Sequence, residues 1–63
     1  MYRVGDEYKL NIYKYGCLPG TRFVLKKVTI LGCELSTQNP SIHPKCVKVN
    51  FHDMRMQFTR ISR

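Results

Sequence analysis

Polar and apolar residues alternate with a period of two through much of this chain, and the breaks in that alternation mark its elements. In DEYKLNIY, Tyr8, Leu10 and Ile12 alternate with Lys9, Asn11 and Tyr13. Successive strand side chains point to opposite faces, so this stretch predicts a first strand. Asp6 and Glu7, beside Gly5, precede it as a turn or bulge. RFVLKKVTILG, residues 22–32, predicts a second strand. Phe23 and Leu25 keep one phase there and Val28 and Ile30 the other, so the pattern slips at Lys26-Lys27. A β-bulge absorbs such a slip and bends the strand. Cys33-Glu34-Leu35 predicts a short third strand. The strongest alternation lies in KCVKVNFHDMRMQFTRISR, residues 45–63, which reads as a β-hairpin turning near Asp53. Its core face would carry Val47, Val49, Phe51, Met54, Met56 and Phe58. Its polar face would carry Lys48, Asn50, Arg55 and Gln57.

Two connections separate these strands. YKYGCLPGT, residues 13–21, holds Gly16, Pro19 and Gly20, residues that supply positive φ or pre-set a turn. STQNPSIHPK, residues 36–45, is polar with two prolines, which excludes a helix or a central strand. No segment carries a helical pattern with evident caps, since Val, Ile, Thr and Phe dominate the apolar runs. The expected fold is a compact antiparallel all-β domain of four to five strands, occupying residues 1–63 as a single unit.

At 63 residues the core is thin and there is little room for a catalytic cleft. Eleven Lys and Arg against four Asp and Glu give a formal charge of +7. Such a field attracts polyanions, nucleic acid first, and an acidic protein surface second. The three cysteines, Cys17, Cys33 and Cys46, form no C-x-x-C pair. An odd count suits reduced thiols and a cytoplasmic setting rather than a disulfide scaffold. The charged N-terminal stretch does not read as a signal peptide, no run is long enough to span a membrane, and no membrane partner is expected.

The order of parts resembles an SH3-like small barrel of the kind found in KOW-type domains and in short phage-encoded proteins. The residues that carry the likeness are Val4-Gly5-Asp6 before the first strand, Pro19-Gly20-Thr21 before the second, the bent Phe23 to Ile30 strand, Val47-Lys48-Val49, and the final Met54 to Ile61 strand. The resemblance implies a binding module for RNA, DNA or protein, and it carries over no ligand residue.

The candidate site is a basic surface with nearby tyrosines. Lys48, Asn50, Arg55 and Gln57 lie on the polar face of the expected hairpin, and Lys9, Arg22, Lys26 and Lys27 extend it if their strands are neighbours. Tyr13 and Tyr15 flank Lys14, a combination that stacks bases while neutralising a phosphate. The same face serves the alternative function, a phage-type interaction protein that binds and modulates an acidic host protein. Cys17, Cys33, His43, Cys46 and His52 are competent zinc ligands, but structural zinc sites assemble from two close pairs, and here only His43 and Cys46 are close. No cofactor or metal is expected. Nucleophilic catalysis needs a positioned base, an orienting acid and oxyanion donors, which the sequence does not supply together, so no enzyme activity is expected. A monomer or weak dimer is expected, since no apolar stripe is left over to demand a partner copy.

Overall fold

A computed structural model describes residues 1–38 and 45–62. Five antiparallel strands form one sheet curled into a half-barrel, with a single short helix among the described residues. The strands are β1 (Glu7–Leu10), β2 (Arg22–Val28), β3 (Gly32–Thr37), β4 (Cys46–Asn50) and β5 (Phe58–Ser62), and α1 (Phe51–Gln57) joins the last two. Their order across the sheet is β4-β3-β2-β1-β5. The expected small all-β, barrel-like domain is therefore the fold observed.

The concave face is the core. Tyr8 and Leu10 come from β1, Phe23 and Leu25 from β2, Cys33 and Leu35 from β3, Val47 and Val49 from β4, and Phe58 from β5. Met54 fills the remaining space from α1. Each Leu, Val, Phe or Met among them contributes about 1.5–3 kcal/mol on leaving water. Phe23 and Phe58 meet edge to face, with ring centroids 5.5 Å apart, a favoured aromatic geometry. Tyr2 stacks on Phe51 at 5.7 Å and lies 6.1 Å from Tyr8, so the N-terminal segment packs on the end of the core.

The phase slip at Lys26-Lys27 is a bulge, because the β2–β3 register shifts between Leu25 and Lys27. A second irregularity falls between Glu7 and Tyr8 in the β1–β5 pairing, next to Gly5 at φ 98°. β3 is longer than expected, because Ser36 and Thr37 pair with β2 and belong to the strand rather than the following loop. Residues 39–44 of that loop, including Pro40, His43 and Pro44, lie outside the described residues, as does Arg63. β1 ends at Leu10, leaving Ile12 beyond it and 41% exposed.

The expected hairpin over residues 45–63 is corrected. The chain turns into a helix at Phe51, because Asn50 is an N-cap whose Oδ1 accepts a hydrogen bond from the Asp53 amide at 2.8 Å. Phe51, Met54 and Phe58 follow at helical spacing and point to the core, while Met56 is left 62% exposed. Topology explains the choice. A hairpin would lay β5 against β4, whereas β5 pairs with β1 at the opposite edge of the sheet. Seven helical residues, roughly 10 Å of rise, carry the chain toward that far edge and bury Met54 on the way.

Candidate nucleic-acid interface

The convex face of the sheet is built by the residues that alternate with the core. The register aligns them in cross-strand rows. Lys48, Glu34 and Lys27 form one row across β4, β3 and β2. Arg22, Lys9 and Thr59 form another across β2, β1 and β5. Strand spacing sets Lys27 and Lys48 roughly 10 Å apart at the backbone, and strand rise sets Arg22 and Lys27 about 16 Å apart. Lys26 occupies the bulge beside Lys27, and it is exposed like Lys9, Arg22, Lys27 and Lys48.

The charges on this face are unevenly paired. Arg22 lies 3.9 Å from Glu7 in an exposed ion pair, which stabilises little. Its direct cross-strand neighbour is Lys9, a like-charge pairing that costs folding energy. Among the described residues, Lys9, Lys26, Lys27 and Lys48 form no ion pair. The other ion pair sits at the edge, where Arg60 Nη2 approaches Asp6 Oδ2 to 3.4 Å. Its angles fall outside those of a hydrogen bond, so that buried oxygen keeps charge compensation without a directional donor.

Tyr15 and Gln57 lie at the end of the sheet where the β1–β2 connection meets the end of α1, whereas Asn50 starts that helix at the opposite end, across from Gly32. Lys14 and Cys17 exchange two backbone hydrogen bonds, of 3.1 and 2.9 Å, around Tyr15 and Gly16. Both central residues have positive φ, 59° and 74°, the arrangement of a mirror-image two-residue turn. Tyrosine tolerates this strained conformation because its side chain is anchored. Its ring stacks against Phe58 at 6.3 Å, and its hydroxyl donates to Gln57 Oε1 at 3.3 Å. Burial, with Asp53 second, pushes the Tyr15 hydroxyl above its ordinary pKa. Lys14 Nζ lies 5.4 Å from the same ring, and Lys45 Nζ donates to the Tyr15 carbonyl at 3.0 Å.

Several candidates are thus engaged inside the molecule. Asn50 spends its carbonyl oxygen on the helix cap, Gln57 holds Tyr15, and Tyr15 packs on the core. Tyr13, at 67% exposure, is the tyrosine available to stack on a ligand. Arg55 is exposed on the last turn of α1 rather than on a strand beside Lys48. Lys45 escaped the sequence reading because its partner lies thirty positions away in the chain.

Cys33 is in the core, where burial pushes its thiol up; Cys17 is half-buried and Cys46 exposed. Among the described residues no group of three or more His, Cys, Asp or Glu is placed to hold a metal ion. His43 lies outside them. Among the described residues no helix is long and apolar enough to cross a membrane. No family model, curated protein or solved structure matches this chain. What stands is its class, a small five-stranded all-β barrel-like domain with a basic convex face.

Proposed function

We propose that this chain is a small non-enzymatic binding module that grips the backbone of RNA or DNA through its convex sheet face. The observation that carries this reading is the register: it aligns Lys9 with Arg22 and Lys27 with Lys48, next to Lys26, against only Glu7 and Glu34. Cations that outnumber the carboxylates set among them raise the energy of the unliganded protein; a polyanion relieves that repulsion, and the counterions it releases add to the binding. Lys9 and Arg22 provide one phosphate contact region and Lys26, Lys27 and Lys48 the other. Tyr13 stacks on a base, a mode that tolerates any sequence. The likeness to SH3-like barrels, which implies a binding module, supports the same reading, and the three free thiols suit a cytoplasmic setting.

Titrating fluorescent single- and double-stranded DNA and RNA at low and near-physiological salt tests this directly. Affinity should fall as salt rises, and Lys9→Glu with Lys27→Glu should weaken binding at least about tenfold while lowering the salt slope by roughly one per lost phosphate contact. Absence of binding at low salt, or an unchanged affinity in the charge-reversed protein, overturns the proposal.

A further inference from the structure

The β2–β3 connection departs from the economy of the rest of the molecule. Ile30 and Leu31 stand 94% and 79% exposed at its tip. The turn does not hold them there by accident of a loose loop. Thr29 Oγ1 accepts hydrogen bonds from the Leu31 and Gly32 amides and donates to the Gly32 carbonyl, each at 3.2 Å. The Thr29 amide donates to that same carbonyl at 2.8 Å. Four hydrogen bonds therefore fix a short turn that presents two adjacent aliphatic side chains to water. A groove of about 480 Å³ opens beside them, lined by Thr29 to Glu34 and by Lys48, Val49 and Asn50. Gly32 lets β3 approach β4 closely in its wall, since a Cβ there would meet the Val49 carbonyl oxygen.

We infer that this groove docks a short segment of an acidic partner protein, with one large apolar side chain seated against Ile30 and Leu31 and a neighbouring carboxylate paired with Lys48. Rigid exposed aliphatics beside a concavity mark an interaction surface, because pre-ordering removes much of the entropy that binding would otherwise lose. Charge selects the occupant. Glu34, the carboxylate in the groove wall, lies between Lys27 and Lys48 in the cross-strand row, and Lys26 precedes the tip. The groove lining holds one carboxylate and one ammonium, Glu34 and Lys48, and Lys27 on the far side of Glu34 makes the cross-strand row net positive, as is the chain at +7. A second copy would bring like charge to like charge, whereas an acidic segment gains from both the apolar contact and the field. This docking goes beyond the nucleic-acid reading and uses Ile30 and Leu31, which that reading does not need.

The test is a titration of the isotope-labelled protein with a panel of short blocked peptides, each carrying one Leu, Phe or Trp between Asp and Glu, followed by amide chemical shifts. Saturable shifts confined to residues 29–34 and 48–50 are expected, absent for peptides with Lys in place of Asp and Glu. The doubly substituted Ile30→Ser, Leu31→Ser protein should keep its fold and its oligonucleotide affinity while losing at least about tenfold in peptide affinity. No saturable shifts across the panel, or shifts unchanged by the substitutions, overturn the inference. So does a concentration-dependent dimer that masks Ile30 and Leu31, which would assign the groove to a second copy. Binding to anionic lipid vesicles that needs Ile30 and Leu31, without peptide binding, would assign it to a membrane surface and overturn it equally.

Discussion

The two ends of the half-barrel use their side chains in opposite ways. Where the β1–β2 connection meets the end of α1, residues that look available for ligands are spent on the fold: Tyr15 packs on Phe58 and donates its hydroxyl to Gln57. At the β2–β3 tip, residues that look structural are left in water, as Ile30 and Leu31 stand clear of the core. Residue type alone therefore misleads at both ends. A half-buried polar group is held by the partner that satisfies it, and an apolar group is free when a rigid backbone keeps it out.

The largest effect should come from the tip. Gly32→Ala places a methyl group 2.1 Å from backbone, where nothing flexible can yield. Parting β3 from β4 to accommodate it should cost about 3 kcal/mol or more, read as a lower urea midpoint or a failure to fold. A loss below about 1 kcal/mol would mean that the close approach is not needed.

Across from Gly32 on β4, the Asn50 cap carries less. Asn50→Ala should destabilise by about 1 kcal/mol through the orphaned Asp53 amide, and Asn50→Asp should restore most of it. Equal stability of all three proteins in urea would show that α1 is held by Met54 packing alone. Leu31→Ser, by contrast, should change stability by less than about 0.5 kcal/mol, which sharpens the contrast between a spent polar residue and a free apolar one.

The smallest effect is confined to alkaline solution. Burial first, with nearby Asp6 and Asp53 adding, raises the hydroxyl pKa values of Tyr8 and Tyr15 above 10.0. The folded state then holds these protons more tightly than the unfolded chain. Stability from this source is complete below pH 10 and falls as pH rises through the folded values. Tyr8→Phe and Tyr15→Phe should each blunt that fall in urea titrations between neutral pH and pH 11. An unchanged slope in both would remove the tyrosines as its cause.

Local pattern made much of the sheet legible in the sequence. The alternation of Tyr8 with Leu10, Phe23 with Leu25 and Val47 with Val49 identifies the core positions, and the slip at Lys26-Lys27 identifies the bulge. Those features depend on neighbours one or two residues apart, which is what strand periodicity encodes. The error over residues 51–57 has a physical reason. Met54, Met56 and Phe58 fit a period of two, while Phe51, Met54 and Phe58 fit a helix, and the segment is too short for either pattern to win locally. The N-cap at Asn50 with Asp53 in the first turn was the signal that separated them.

The candidate site divides along the same line. Lys9, Arg22, Lys27 and Lys48 are recognisable as polar-face residues from alternation alone, but which of them stand side by side is decided by strand order and register. The fate of Tyr15, Gln57 and Asn50 rests on contacts across the fold or on the cap. The sequence by itself determined the sheet, its core face and the sign of its charge, because these follow from short-range patterning and composition. Only the tertiary structure decided the helix that sends β5 to the far edge, the pairing of the cations, and the exposure of Ile30 and Leu31, because each depends on residues brought together from distant parts of the chain.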